Sequence, residues 1–196
     1  MTRSLKIAVA DDEKDMRDYF HEILTHLGHE VVVIAGTGKE LVDRCSSIQP
    51  DLVITDIKMP DMDGIDAAVH LYEKSPVPVI LVSAYHDPEF IRRAEADHIM
   101  AYLVKPIKQA DLEPAIAIAT RRFEQFQAMR KETSDLKQAL EDRKIIEKAK
   151  GVLMKKAGLD EHDAFRRLQR LASDKNKKLV EIARIIMTAE EAFEPS

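Results

Sequence analysis

The sequence predicts a five-stranded parallel, doubly wound α/β sheet, followed by a coiled-coil helix and a small all-α domain of three helices. Three observations carry this reading. Over roughly the first 110 residues, short β-branched runs alternate with amphipathic helical patterns. Most of those runs are almost continuously apolar, as expected where helices cover both faces of a sheet. Beyond Pro106 the strand texture stops, and helical periodicity continues almost to the end of the chain.

The elements follow in order. Leu5–Ala10, Val31–Ile34, Leu52–Thr55, Val77–Val82 and Ala101–Val104 are the five strands. Tyr19, Phe20, Ile23, Leu24 and Leu27 form one face of the first helix, which Gly28 stops. Leu41, Val42 and Cys45 mark the second helix, Ile65, Ala68, Val69 and Tyr72 the third, and Phe90, Ile91 and Ala94 a fourth. From Asp111 to Lys156 the only helix-disfavouring residues are Pro114, which suits a first turn, and Gly151. Leu112, Ile116, Ala119, Phe123 and Phe126 step by four and three, the spacing of a coiled-coil seam. That register falters at Arg130 and Thr133 and resumes, one residue out of phase, at Leu136 and Leu140. Three shorter helices complete the chain: Ile145–Ala157, Glu161–Ser173 capped by Asp160, and Leu179–Ala192. The expected division is 1–120 for the α/β domain, 111–142 for the linker helix continuous with it, and 143–190 for the helical module.

Composition narrows the function. Of 196 residues, 45% are apolar and 33% charged, which suits a folded rather than a disordered chain. No apolar run approaches the ~18–20 residues of a membrane span, and Leu5–Ala10 is cut short by Asp11-Asp12-Glu13, so neither a span nor a signal peptide is expected. A cytoplasmic protein is the expectation. One cysteine, Cys45, excludes an intrachain disulfide and any multi-cysteine metal site, and reads as a core residue. Charge is split: residues 1–120 hold 12 Lys and Arg against 21 Asp and Glu, whereas 121–196 hold 18 against 14. An acidic front and a basic rear imply two domains with different partners, the rear suited to a polyanion.

Parallel α/β sheets bind ligands beyond the carboxyl ends of their strands. There the sequence places Asp11 and Asp12 after the first strand, Asp56 after the third, Ser83 after the fourth, and Lys105-Pro106 after the fifth. Singly, Asp11 reads as a helix cap, Asp56 as a turn former and Lys105 as a surface charge. Jointly, three carboxylates, a hydroxyl and an ammonium converge on one edge. Such carboxylates resist common ionisation without a cation, and Mg²⁺, with its preference for oxygen ligands, is the natural one. A carboxylate beside Mg²⁺, with a lysine and a hydroxyl aimed at incoming oxygens, is equipped to accept a phosphoryl group.

These residues, with Asp56-Ile57-Lys58-Met59-Pro60-Asp61-Met62-Asp63-Gly64 and Tyr102-Leu103-Val104-Lys105-Pro106, make the first part resemble a response-regulator receiver domain, a flavodoxin-like fold. The resemblance implies that Asp56 is the phosphoacceptor and that Asp11, Asp12, Asp56 and the backbone carbonyl of Lys58 hold Mg²⁺. It further implies that Ser83 and Lys105 meet the phosphoryl group, Tyr102 is the switch aromatic, the Lys105-Pro106 bond is cis, and a sensor histidine kinase is the phosphodonor. The chain has His98-Ile99 where the family usually carries Gly-Ala.

Two further patterns are decoys. Gly36-Thr37-Gly38-Lys39-Glu40 ends like a phosphate-binding loop. It lacks the leading glycine, carries Glu40 where a hydroxyl is needed, and reads as a strand-to-helix turn. The seven histidines show no metal-ligand spacing.

In the rear, Arg143, Lys144, Lys148, Lys150 and Lys155 crowd about three helical turns whose apolar face is Ile145, Ile146, Ala149, Val152 and Leu153. Lys144, Lys148, Lys150 and Lys155 are expected toward solvent, with Arg166, Arg167, Arg170, Lys175, Lys177 and Lys178 following. Lys148-Ala149-Lys150-Gly151-Val152-Leu153-Met154, Asp163-Ala164-Phe165 and Ile182-Ala183 resemble the ANTAR domain, an RNA-binding antitermination module often fused to receivers. The resemblance implies binding of paired hairpins in nascent transcripts by a dimer, with the Lys and Arg groups on phosphates and the Ala149–Gly151 surface on loop bases. A phosphorylation-favoured homodimer through the coiled coil is expected, with no enzymatic output and no membrane partner. The alternatives are a receiver-controlled DNA-binding regulator and a protein-binding signalling adaptor.

Overall fold

In a computed structural model, residues 3–84 and 99–191 are described. Five parallel strands, β1 (Lys6–Ala10), β2 (Glu30–Ala35), β3 (Leu52–Asp56), β4 (Val79–Ser83) and β5 (Ile99–Val104), lie in the order β2-β1-β3-β4-β5. This is the flavodoxin-like order, in which the progression of strands across the sheet reverses between β1 and β3. Helices α1 (Lys14–His26), α2 (Gly38–Ser47) and α3 (Gly64–Lys74) connect the strands. The sequence-expected helix at Phe90, Ile91 and Ala94 lies outside the described residues, as does His98.

Alternate strand residues feed two cores, which is why the strands read as unbroken apolar runs. Ile7, Val9, Leu52, Ile54, Ile80 and Val82 pack with Phe20, Ile23 and Leu24 of α1. Ala8, Ala10, Val33, Val53, Val79 and Leu81 pack with α2 and α3, where Cys45 is buried. Burial pushes the Cys45 thiol up to about 11, leaving it inert at neutral pH.

Beyond β5 a single helix, α4 (Gln109–Ala157), runs for 49 residues, followed by α5 (Glu161–Asp174) and α6 (Leu179–Glu191). The structure corrects the sequence here in three respects. The expected separate helix Ile145–Ala157 is the last part of α4, since no glycine or proline between Pro114 and Gly151 interrupts it. Pro114 sits in the second turn rather than the first, and the Ala110 carbonyl it leaves without an amide partner is at the surface, open to water.

The third correction concerns the seam. Leu112, Ile116 and Ala119 are buried in the core around β1, β3 and β4, and Phe123 packs on its margin. A four-three spacing describes a helix docked on its own sheet as well as a coiled coil, and here the sheet takes it.

The chain separates into two compact units, residues 1–127 and 128–196. In the second, Ala149, Leu168, Ile182 and Ala183 form the buried centre, ringed by Ile145, Ile146, Leu153, Leu171, Leu179 and Ile186. Asp160 caps α5 as expected, its Oδ1 accepting from the Asp163 N–H at 2.8 Å. So small a core gives a few kcal/mol of margin at most. No helix among the described residues is long and apolar enough to cross a membrane.

Candidate functional site

Strand register brings the acidic residues to one edge. Ala10 is level with Thr55, Asp56 with Val82, and Ser83 with Val104, so Asp11, Asp56, Ser83 and Lys105 end adjacent strands. Gly64 closes the loop after β3 against them: a side chain there would run into the Asp56 carbonyl and the Thr55 hydroxyl. Gly38 likewise meets the Met62 carbonyl. The Lys105-Pro106 peptide is cis. The Tyr19 hydroxyl donates to the Ile107 carbonyl at 2.8 Å, fastening α1 to the segment after β5.

At the centre stands Lys105. Its Nζ lies 2.9 Å from Asp11 Oδ2 and 3.0 Å from Asp56 Oδ1, with Glu13 Oε1 at 3.9 Å. Asp11 is fully buried and Asp56 is 5% exposed. Asp56 Oδ2 accepts the Lys58 N–H at 2.8 Å, and Asp11 Oδ1 accepts the Glu13 N–H at 2.9 Å. Among the described residues, two buried carboxylates share one ammonium, which leaves one negative charge uncompensated. Burial therefore raises the Asp56 carboxyl above its ordinary range, with Asp11 adding to the rise and Lys105 and the Lys58 amide opposing it. Burial alone would lower the Lys105 ammonium, but its hydrogen bonds to Asp11 and Asp56 hold it above the usual value. Asp11, Asp12 and Glu13 can bring one oxygen each within 4.8 Å of one another. An all-oxygen donor set with surplus negative charge fits a hard divalent cation such as Mg²⁺.

Ser83 is buried at the end of β4, and Tyr102 packs half-buried against the α2–α3 core. Sequence reasoning missed Glu13 as a member of the cluster, although the Asp-Asp-Glu run was itself the signal. The decoy turn behaves as one: Thr37 accepts the Glu40 N–H at 3.1 Å, and Glu40 Oε2 accepts the Gly36 N–H at 2.8 Å.

The basic module divides its residues differently from the sequence expectation. Arg143, Lys144, Lys148, Gly151 and Lys155 are exposed, and steps of four, three and four put Lys144, Lys148, Gly151 and Lys155 on one face of α4. Beside Gly151 there is open space. Ala149 is fully buried against α5 and α6, so it presents no surface to a base. Lys150 also departs from expectation. It is 7% exposed, and its Nζ is held at 2.7 Å by both Glu147 Oε2 and Glu161 Oε1, 6.0 Å from the centre of the Phe165 ring. Those pairs, Glu147 foremost, raise the Lys150 ammonium above its ordinary value. Its place next to Ala149 on the helix brings it to the rim of the core, where α5 covers it.

Comparison with known proteins agrees with both halves. Residues 7–117 match the family model of the response regulator receiver domain, and residues 134–187 match that of the ANTAR domain. The transcriptional regulatory protein PdtaR of Mycobacterium tuberculosis is 40% identical over 182 residues, spanning 93% of this chain and 89% of that protein. The positive alginate biosynthesis regulatory protein of Pseudomonas aeruginosa is 33% identical over 119 residues, 60% of this chain and 48% of its own length. Among solved structures, a response regulator receiver domain protein from Clostridium thermocellum superposes with a TM-score of 0.56 at 30% identity, covering 61% of this chain and 96% of that one.

Proposed function

The chain belongs to the response regulators that join a receiver domain to an ANTAR domain, and from that premise we propose that it is a phosphorylation-controlled, RNA-binding antiterminator of the cytoplasm. The single observation that carries the reading is the buried Asp11–Lys105–Asp56 bridge at the strand ends of a chain that also bears an exposed lysine stripe. Residues 1–120 serve as the phosphoacceptor domain, 111–142 as the linker and 143–190 as the RNA-binding domain.

In this reading Asp56 takes the phosphoryl group from a sensor histidine kinase. A carboxylate oxygen attacks phosphorus, the bond to the donor nitrogen breaks, and the freed imidazole takes up a proton. Asp11, Asp12, Asp56 and the Lys58 carbonyl would hold Mg²⁺, with Glu13 beside them. The cation supplies neutralisation of charge on the transferring oxygens. Lys105 already lies within reach of Asp56, and Ser83 closes the same edge. Both are placed to meet the new charge, and Tyr102, on β5, is placed to follow Lys105.

The output is pairing of two copies through a stripe different from the one the sequence first suggested. Phe126, Met129, Thr133, Leu136 and Leu140 step by three and four. Met129, Leu136 and Leu140 are 67, 60 and 59% exposed, which is costly for large apolar side chains without a partner. The flanking charges select the arrangement. In a parallel, in-register pair, Glu132 of one copy faces Lys137 of the other, whereas an antiparallel pair sets the Arg130, Lys137 and Lys144 edges against each other. A parallel pair puts both modules at one end, where two linked hairpins bind with a large effective-concentration gain. Lys144, Lys148 and Lys155 meet RNA phosphates, with Arg143 flanking, and Gly151 admits close approach of backbone or base.

Binding of the phosphorylated chain to a two-hairpin leader RNA, to duplex DNA of equal charge, and to neither, tests the reading. Preference for the hairpins supports it. Preference for the duplex returns the DNA-binding alternative, and binding to neither returns the adaptor.

A further inference from the structure

Arg17 is a cation beside the acidic edge that phosphoryl acceptance does not call upon. Its Nη1 donates to the Asp11 carbonyl at 2.7 Å and to the Asp12 carbonyl at 2.9 Å. Both acceptors are main-chain groups of the β1–α1 turn, the segment that carries the Asp11 and Asp12 carboxylates. The other polar atoms of Asp11 are also engaged: Oδ1 with the Glu13 N–H, Oδ2 with Lys105, and its N–H with the Ala35 carbonyl at 3.2 Å. Asp12 is exposed, and its carbonyl accepts from Arg17.

Arg17 is half-buried and lies near the Gly36 turn. A methyl group built on Gly36 would touch Arg17 Nη1 at 3.6 Å and Glu40 Oε2 at 3.8 Å, so both side chains border the same spot. Glu40 is in turn fixed by the Gly36 N–H and, through Oε1, by Arg44 at 2.7 Å.

We propose that Arg17 is a positioning residue for divalent-cation binding: it clamps the Asp11-Asp12 main chain so that both carboxylates face a common centre. The proposal rests on the reading of this edge as a Mg²⁺ site. It opposes the simpler electrostatic expectation, in which a nearby positive charge repels the cation and its removal tightens binding. Clamping prevails because both Arg17 bonds go to the main chain that carries the two carboxylates, and without the clamp two adjacent like-charged carboxylates drift apart.

The experiment is calorimetric titration of the full chain with Mg²⁺ alone, without phosphodonor, for the wild type, Arg17→Gln, Arg17→Lys and Asp12→Asn. Melting in EDTA runs in parallel to register folding. Arg17→Gln should weaken Mg²⁺ binding about tenfold, as loss of supporting contacts around metal ligands commonly does, and Arg17→Lys should recover part of it. If Arg17→Gln also melts lower in EDTA, the ratio of Mg²⁺ affinities between Arg17→Lys and Arg17→Gln decides the matter. Affinity in Arg17→Gln equal to or above wild type, with Asp12→Asn weakened, overturns the clamp and leaves the site standing. Unchanged affinity in Asp12→Asn overturns the site itself and the clamp with it.

Discussion

Lys105 Nζ and Asp56 Oδ1 lie 3.0 Å apart, yet the pair is not balanced, because Asp11 claims the same ammonium at 2.9 Å. Each member answers in its titration. Burial lifts the Asp56 carboxyl, and two carboxylates together hold the Lys105 proton. The site stores surplus negative charge, and that surplus makes it receptive to a cation.

A stability consequence follows for Asp56→Asn. A carboxyl raised in the folded state favours folding at low pH, and that advantage is lost as pH rises from the unfolded value through the folded one. At neutral pH the Asp56 charge is therefore a cost. Asp56→Asn should raise the melting temperature in EDTA by about 2–4 °C while abolishing phosphoryl uptake, and Mg²⁺ should stabilise the wild type more than the variant. Calorimetry with and without Mg²⁺ checks the first part, and labelling from a small acyl phosphate checks the second.

Glycines give a contrast of sign. Gly64→Ala drives a methyl group into the Asp56 carbonyl and should destabilise the α/β unit by about 2 kcal/mol or more. Gly151→Ala meets open space on an exposed helical turn and should stabilise by about 0.5–1 kcal/mol. Urea unfolding of the two variants reads both, and equal effects would refute the placement of Gly64 against the Asp56 carbonyl.

Much of this was legible in the sequence, and the misses share a cause. Strand-end carboxylates are visible because a parallel strand has one functional end, so Asp11, Asp56 and Lys105 could be grouped before their distances were known. The partner of an apolar face is not visible. Leu112, Ile116 and Ala119 carry coiled-coil spacing but dock on their own sheet, while the free stripe, Met129 to Leu140, looked like a faltering register. The burial of Lys150 is hidden for the same reason: a helical wheel places it at the rim of the apolar face, but Glu161 comes from the next helix and leaves no trace in local periodicity.

Lys148 and Lys150 should therefore separate cleanly on substitution. Lys150→Ala strands Glu147 and Glu161 and loosens the contact between α4 and α5, so it should lower the melting temperature of the helical module. Lys148→Ala should leave melting unchanged and weaken RNA binding, and Lys144→Ala with Lys148→Ala should flatten the slope of log affinity against log salt by about 1.5. Thermal melts and binding at several salt concentrations distinguish the two. Loss of RNA affinity in Lys150→Ala without loss of stability would return Lys150 to the interface.

His29 imposes a pH limit at the opposite end of the sheet. Burial lowers its imidazole below the ordinary histidine value, with Glu113 opposing, and its Nδ1 accepts the Leu5 N–H at 3.3 Å. A histidine harder to protonate when folded contributes full stability above about pH 6.5, its unfolded value. It loses that contribution as pH falls toward the folded value. Between pH 7.5 and 5 the wild type should lose more melting temperature than His29→Gln, and parallel curves would remove His29 from the account.

The central claim is that phosphorylation of Asp56 acts on RNA by pairing two chains. The most direct test is the dissociation constant for a two-hairpin leader RNA, measured at one salt concentration for phosphorylated and unphosphorylated protein. The account predicts at least about tenfold tighter binding by the phosphorylated chain, an advantage that Leu136→Glu abolishes. Equal affinity in the two states would contradict it, even with both domains in their assigned roles.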